Sequence, residues 1–105
     1  MKRGEIWRVE TMGRDRLMLI MSLDAVNEND RYFTLLAVPV VDRLSAPDSL
    51  LTVSIHGEVD GVARIDQITT PPRKRFTERL GAVSEDELAS VERALVVFAG
   101  LEYRS

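Results

Sequence analysis

A length of 105 residues gives room for one domain, residues 1–105, and none for a second of ordinary size. With no cysteine in the sequence, a disulfide framework, a thiolate zinc site and a cysteine nucleophile are all excluded. Hydrophobic residues at 45% and charged residues at 30% suit a folded globular chain, and a net charge of −3 argues against coating nucleic acid by charge alone.

The elements follow in chain order. Glu5 to Glu10 alternates with the period of a half-buried strand, Ile6, Arg8 and Glu10 opposite Trp7 and Val9. Thr11 to Asp15 is a short connector around Gly13, so the next strand should return as a hairpin. Arg16 to Ser22 and Thr34 to Val41 are apolar on both faces, as central strands are, and Pro39 forces a bulge or an edge in the second. Asp24 is a candidate N-cap for one helical turn between them. Leu50–Ile55, Val62–Ile68 and a short stretch around Arg79–Val83 complete the strands. Ser84-Glu85-Asp86-Glu87 is a capping box, and Leu88, Val91, Leu95 and Phe98 recur at helical spacing before Gly100. The expected fold is mainly β with an α+β character: a small antiparallel sheet or barrel closed by a C-terminal helix.

Charge is unevenly placed. Residues 1–16 carry five basic and three acidic side chains, and residues 71–81 carry Arg73, Lys74, Arg75 and Arg79 against Glu78 alone. If folding joins these stretches, they form a groove for a polyanion on an otherwise acidic chain. The plainer reading is a solvated turn and a guarded strand edge.

Few residues offer chemistry. Arg64 and Asp66, two apart in an expected strand, project from one face. That pairing suits acid–base work on a phosphodiester, the carboxylate accepting a ribose 2′-hydroxyl proton and the guanidinium stabilising charge on phosphate oxygens. The plainer alternative is that both neutralise cross-strand partners. Arg16 opens a central strand and offers a planar fork for phosphate, or is simply a satisfied strand end. Trp7 fits a core position or a base-stacking one, and the single histidine, His56, receives no role. No apolar run reaches the length of a membrane span, and the opening residues lead into a strand pattern, so a cytosolic location is expected.

Several segments, taken together and in order, resemble the MazF/PemK toxins of bacterial toxin–antitoxin pairs. These are Lys2-Arg3-Gly4-Glu5-Ile6-Trp7, Arg16 to Ser22 with Asp24-Ala25-Val26-Asn27, and Val38-Pro39-Val40. Gly61 to Ile68, Thr70 to Arg75, and Arg79-Leu80-Gly81 with Ser84 and its helix complete the set. The resemblance implies a small SH3-like barrel, a homodimer, and cleavage of single-stranded RNA such as mRNA with no metal and no cofactor. It also implies a cognate antitoxin whose tail lies in the RNA groove. It places catalytic roles on Arg64, Asp66 and Arg16, and RNA contacts on Gln67, Thr70, Arg73, Lys74 and Arg75. The sequence departs from the family where a Thr or Ser becomes Val41, and where a long Gly-rich loop shrinks to Met12-Gly13-Arg14. Thr69 stands where many relatives carry Arg. A non-cleaving member that binds antitoxin or nucleic acid therefore stays open as an alternative. Related gyrase-directed toxins, which share the fold, use a C-terminal tryptophan, whereas this sequence reads Gly100-Leu101-Glu102-Tyr103-Arg104-Ser105.

Overall fold

The computed structural model describes residues 1–101, so the Glu102–Ser105 segment used in the gyrase comparison lies outside the described residues. Six strands form one antiparallel sheet: β1 (Glu5–Thr11), β2 (Arg14–Ile20), β3 (Ala37–Val41), β4 (Thr52–Ile55), β5 (Gly61–Arg64) and β6 (Phe76–Ala82). A single helical turn, α1 (Asp24–Asn27), follows β2, and the long helix α2 (Glu85–Ala99) ends the fold. The strand order is β4-β5-β3-β2-β1-β6.

The expected hairpin is present. Thr11 pairs with Arg14, and Gly13 takes the left-handed turn position at φ 84°. The two apolar central strands, β2 and β3, bury both faces. Leu19, Val38 and Val40 join Ile6, Ile55, Ala63 and Ile65 beneath Val91 and Ala94 of α2. Met18, Ile20 and Ala37 turn the other way and pack with Val9, Leu35 and Phe76, flanked by Trp7. Each fully buried aliphatic side chain contributes about 1.5–3 kcal/mol, so two opposed cores hold this small sheet. Trp7 is thus a core-flanking residue, and its indole N–H donates to Glu5 Oε1 at 3.1 Å.

The helix forms as the sequence dictates. Ser84 Oγ accepts from the Glu87 N–H at 3.1 Å, and Glu87 Oε1 accepts from the Ser84 N–H at 2.9 Å. Gly100 closes α2 in the left-handed conformation at φ 71°.

Four expectations are corrected. Asp24 does not cap α1; Leu23 holds that position, and the Asp24 carboxylate instead accepts the Arg3 N–H at 2.7 Å. The third strand starts at Ala37: Thr34 bridges to Pro72 and the Leu35 N–H donates to the Pro71 carbonyl, while the Leu36 carbonyl accepts from Met21 and Ser22. The barrel is not hydrogen-bonded shut, since no ladder joins the edge strands β4 and β6. The curled ends meet by packing: a Cβ at Gly81 would lie 2.9 Å from the Glu58 Cβ in the β4–β5 connection.

The fourth correction matters most for function. The strand expected over Val62–Ile68 stops at Arg64, and Ile65–Gln67 form a 3-10 turn. Pro39 supplies the reason. Ala37 exchanges both backbone hydrogen bonds with Thr69 at 2.9 Å each, and Val41 pairs with Val62. Residues two apart on a strand present their backbone groups to the same side, so Pro39, between Ala37 and Val41, faces that same neighbour without an N–H. The neighbouring chain leaves the ladder at that gap. Pro39 stays within a strand, and it is residues 65–67 that bulge.

Candidate functional site

The gap opposite Pro39 places the reactive pair at the surface. Arg64 ends β5, and its guanidinium holds the Asp66 carboxylate in a fork, with Nη2 at 2.7 Å and Nε at 3.3 Å. Asp66 therefore projects from the 3-10 turn, not from a strand face shared with Arg64 as the spacing suggested. The two groups still meet, because the guanidinium reaches across the turn. Their side chains are 21% and 32% exposed, open enough to touch a ligand and tethered enough to be oriented.

Arg64 and Gln67 line a hollow of about 450 Å³ with Arg14, Arg16, Pro39, Val41 and Ser45. A second hollow, about 300 Å³, adjoins it through Arg16 and is lined by Thr69, Thr70, Pro72 and Arg75 among others. Arg16 is half-buried in β2 and makes no side-chain hydrogen bond or ion pair among the described residues. Folding thus joins the N-terminal basic stretch to the 71–81 stretch, as a polyanion groove requires. Arg16, Arg64, Gln67, Thr70 and Arg75 are brought together, with Asp66 held at the rim by Arg64.

Two cations of the expected set are placed otherwise. Arg73 lies outside both hollows. Its guanidinium donates to the carbonyls of Asn27 at 2.6 Å, Val26 at 2.7 Å, Tyr32 at 2.9 Å and Asn29 at 3.0 Å. These bonds tie the turn after α1 to the 71–73 segment. Lys74 borders a separate hollow with Phe33 and Pro72. Arg79 is likewise engaged, its Nε 2.7 Å from Glu5 Oε2.

Asp15 lines the first hollow and Glu10 the second, whereas Glu5, Glu87 and Asp60 are structural anions outside both. Burial pushes the Glu5 carboxyl up, but hydrogen bonds from Arg79, Trp7 and the Lys2 N–H outweigh it and hold the pKa below the ordinary value. Glu87 follows the same pattern, burial opposed by the Ser84 and His56 N–H groups. Arg43 hydrogen-bonds Asp60 at 2.9 Å and lowers the pKa of that carboxyl.

Sequence reasoning missed Ser45, which lines the hollow together with Val41. It stands in a 3-10 turn after β3, in a stretch whose Ser, Pro and Asp content signals only a loop. No local pattern points to it.

The fold and groove define a class: a small curled sheet backed by one helix, presenting arginines and a carboxylate along one open surface. Comparisons narrow that class. The family model described as the PemK-like, MazF-like toxin of type II toxin–antitoxin systems matches residues 2–99. The chain is 29% identical to a probable endoribonuclease MazF of Mycolicibacterium smegmatis, covering 96% of this chain and 98% of the relative. It is 32% identical to a probable endoribonuclease MazF2 of Mycobacterium tuberculosis, over 84% and 87% of the two chains. A solved MazE–MazF structure from Deinococcus radiodurans matches with a TM-score of 0.81 at 26% identity, covering 95% of each chain. A mycobacterial endoribonuclease in complex with its cognate antitoxin has the same fold, with a TM-score of 0.88 at 21% identity and 99% coverage of both chains. The chain belongs to the MazF/PemK family of type II toxin–antitoxin toxins.

Proposed function

We propose that this chain, acting as a single domain, is an endoribonuclease that cleaves single-stranded RNA along the Arg64–Arg16–Arg75 groove. The observation that carries this reading is the Arg64–Asp66 fork, 2.7 Å at its shorter contact, beside a groove of unpaired cations in a chain of this family. Asp66 accepts the proton of a ribose 2′-hydroxyl, and the freed oxygen attacks the adjacent phosphorus. Arg64 and Arg16 stabilise charge on the non-bridging oxygens. The bond to the 5′-oxygen breaks, that oxygen takes a proton from the Arg64 guanidinium, and the proton held by Asp66 passes across the 2.7 Å contact to restore Arg64. The products are a 2′,3′-cyclic phosphate and a 5′-hydroxyl, and the route calls on no metal or cofactor. Gln67 and Thr70 offer hydrogen bonds to bases, while Arg75 and Lys74 hold the backbone. By analogy with the MazE–MazF pair, the toxin acts as a cytoplasmic homodimer and is silenced by an antitoxin segment lying in the same groove.

The test is incubation of purified toxin with a mixed single-stranded RNA pool in chelator. Cleavage with cyclic-phosphate ends is expected, and Asp66→Asn or Arg64→Ala should lower the rate by about 100-fold or more while the fold persists. An RNA pool left intact by the unmodified protein sinks the reading. Val41 favours one alternative, a member that binds without cutting, because the hollow beside Arg64 lacks a hydroxyl at that position. Binding of RNA or of an antitoxin peptide with no cleavage selects it.

A further inference from the structure

Phe33 is 83% exposed, an unusual state for a phenylalanine. Its backbone is not loose. The Arg73 N–H donates to the Phe33 carbonyl at 2.7 Å, Thr34 bridges to Pro72, and the Leu35 N–H donates to the Pro71 carbonyl at 3.1 Å. The Arg73 guanidinium fastens the preceding turn through Tyr32 and three carbonyls of residues 26–29. An aromatic ring is thus displayed from main chain stitched to the segment that carries Thr70 and Arg75.

The hollow beside this ring, about 500 Å³, is lined by Phe33, Pro72, Arg73 and Lys74. Pro72 also lines the Thr70–Arg75 hollow, so the two hollows share that residue as a border. Three neighbouring hollows thus border one another at single residues, the first two at Arg16 and the second and third at Pro72. No carboxylate lines the third, and Lys74 is exposed with no ion pair among the described residues. An exposed ring beside an exposed lysine, next to a basic hollow, is the arrangement that holds single-stranded nucleic acid without reading its sequence.

We propose that Phe33 is a stacking platform for a nucleobase flanking the cleaved bond, with Lys74 holding the phosphate next to it. The inference rests on the RNA-directed reading above and extends its binding site by one position. A rigid ring has little conformational freedom to lose on binding, so stacking is realised with small entropic cost.

The experiment uses two probes: a labelled random 2′-O-methyl RNA of about 20 nucleotides, which lacks the attacking hydroxyl, and inorganic polyphosphate, which lacks bases. Phe33→Ala should weaken the RNA by about 5- to 100-fold and leave polyphosphate unchanged. Lys74→Ala should weaken both. Phe33→Trp should retain RNA affinity and show fluorescence quenching when RNA is added. Equal loss of RNA and polyphosphate by Phe33→Ala, or no loss of either, overturns the platform. A change in sedimentation with unaltered RNA affinity also overturns it and assigns the ring to a protein contact. RNA bound through Phe33 but never cut removes the cleavage reading alone. Unmodified RNA cut at the parental rate by Phe33→Ala removes the platform alone.

Discussion

Arg73 donates to the carbonyls of Val26, Asn27, Asn29 and Tyr32, whereas Arg75, two positions on, lines the groove with Thr70. The sequence presents them as equals in one basic run, and the fold separates them: one side chain is committed to main-chain carbonyls and the other lines a hollow. A planar fork reaching four acceptors is beyond a lysine, which offers a compact head with three donors. Arg73→Lys should therefore lower stability by about 2 kcal/mol, measured by urea denaturation, after allowance for partial exposure. Lys74→Ala should stay within about 0.5 kcal/mol of the parent. If Arg73→Lys melts like the parent while losing RNA affinity, the structural assignment fails. Arg64 and Asp66 were legible as a pair because they lie two apart in sequence. Ser45 was not, because its nearness to Arg64 arises only when the 3-10 turn after β3 folds over the gap.

Among the elements, α2 was the most legible, since capping box, apolar spacing and terminal glycine are all local signals. The end of β5 was the least. Val62-Ala63-Arg64-Ile65-Asp66 alternates acceptably for a strand, and Ile65 is fully buried in the 3-10 turn that replaces it. The deciding fact is a missing N–H at Pro39, more than twenty residues earlier, and no local window contains it. Gly61 tests how tightly β5 is seated against β3. A Cβ there would lie 2.6 Å from the Val41 carbonyl oxygen and 3.1 Å from Val40 Cγ1. Gly61→Ala should cost about 2–3 kcal/mol in thermal or urea denaturation and displace Val41 from the hollow beside Arg64. A variant with parental stability would mean that the two strands part easily.

At the scale of the whole molecule, net charge was a poor guide and its distribution a good one. The two basic stretches meet at Arg16 and Arg75, while Glu5, Glu87 and Asp60 are tied down by hydrogen bonds elsewhere. Their folded-state pKa values lie below the unfolded ones, so their stabilisation is complete above the ordinary carboxylate range. It is lost as pH falls through the folded values. Unfolding free energy should hold steady from pH 7 to about 5 and decline below about 4.5, and Glu5→Gln should flatten part of that decline. An acid limb unchanged by Glu5→Gln would remove that carboxylate from the account. The ladder gap at Pro39 has a mechanical meaning as well. Residues 65–67 are joined to β3 by no backbone bond, whereas Arg16 and Arg75 belong to β2 and to a turn leading directly into β6. Asp66 therefore sits on a wall anchored not through the ladder but through Ile65, whose N–H donates to the Leu51 carbonyl at 2.9 Å and whose side chain is fully buried. A small shift of the Asp66 carboxylate would disturb that Ile65 anchor and no bond of the β3 ladder.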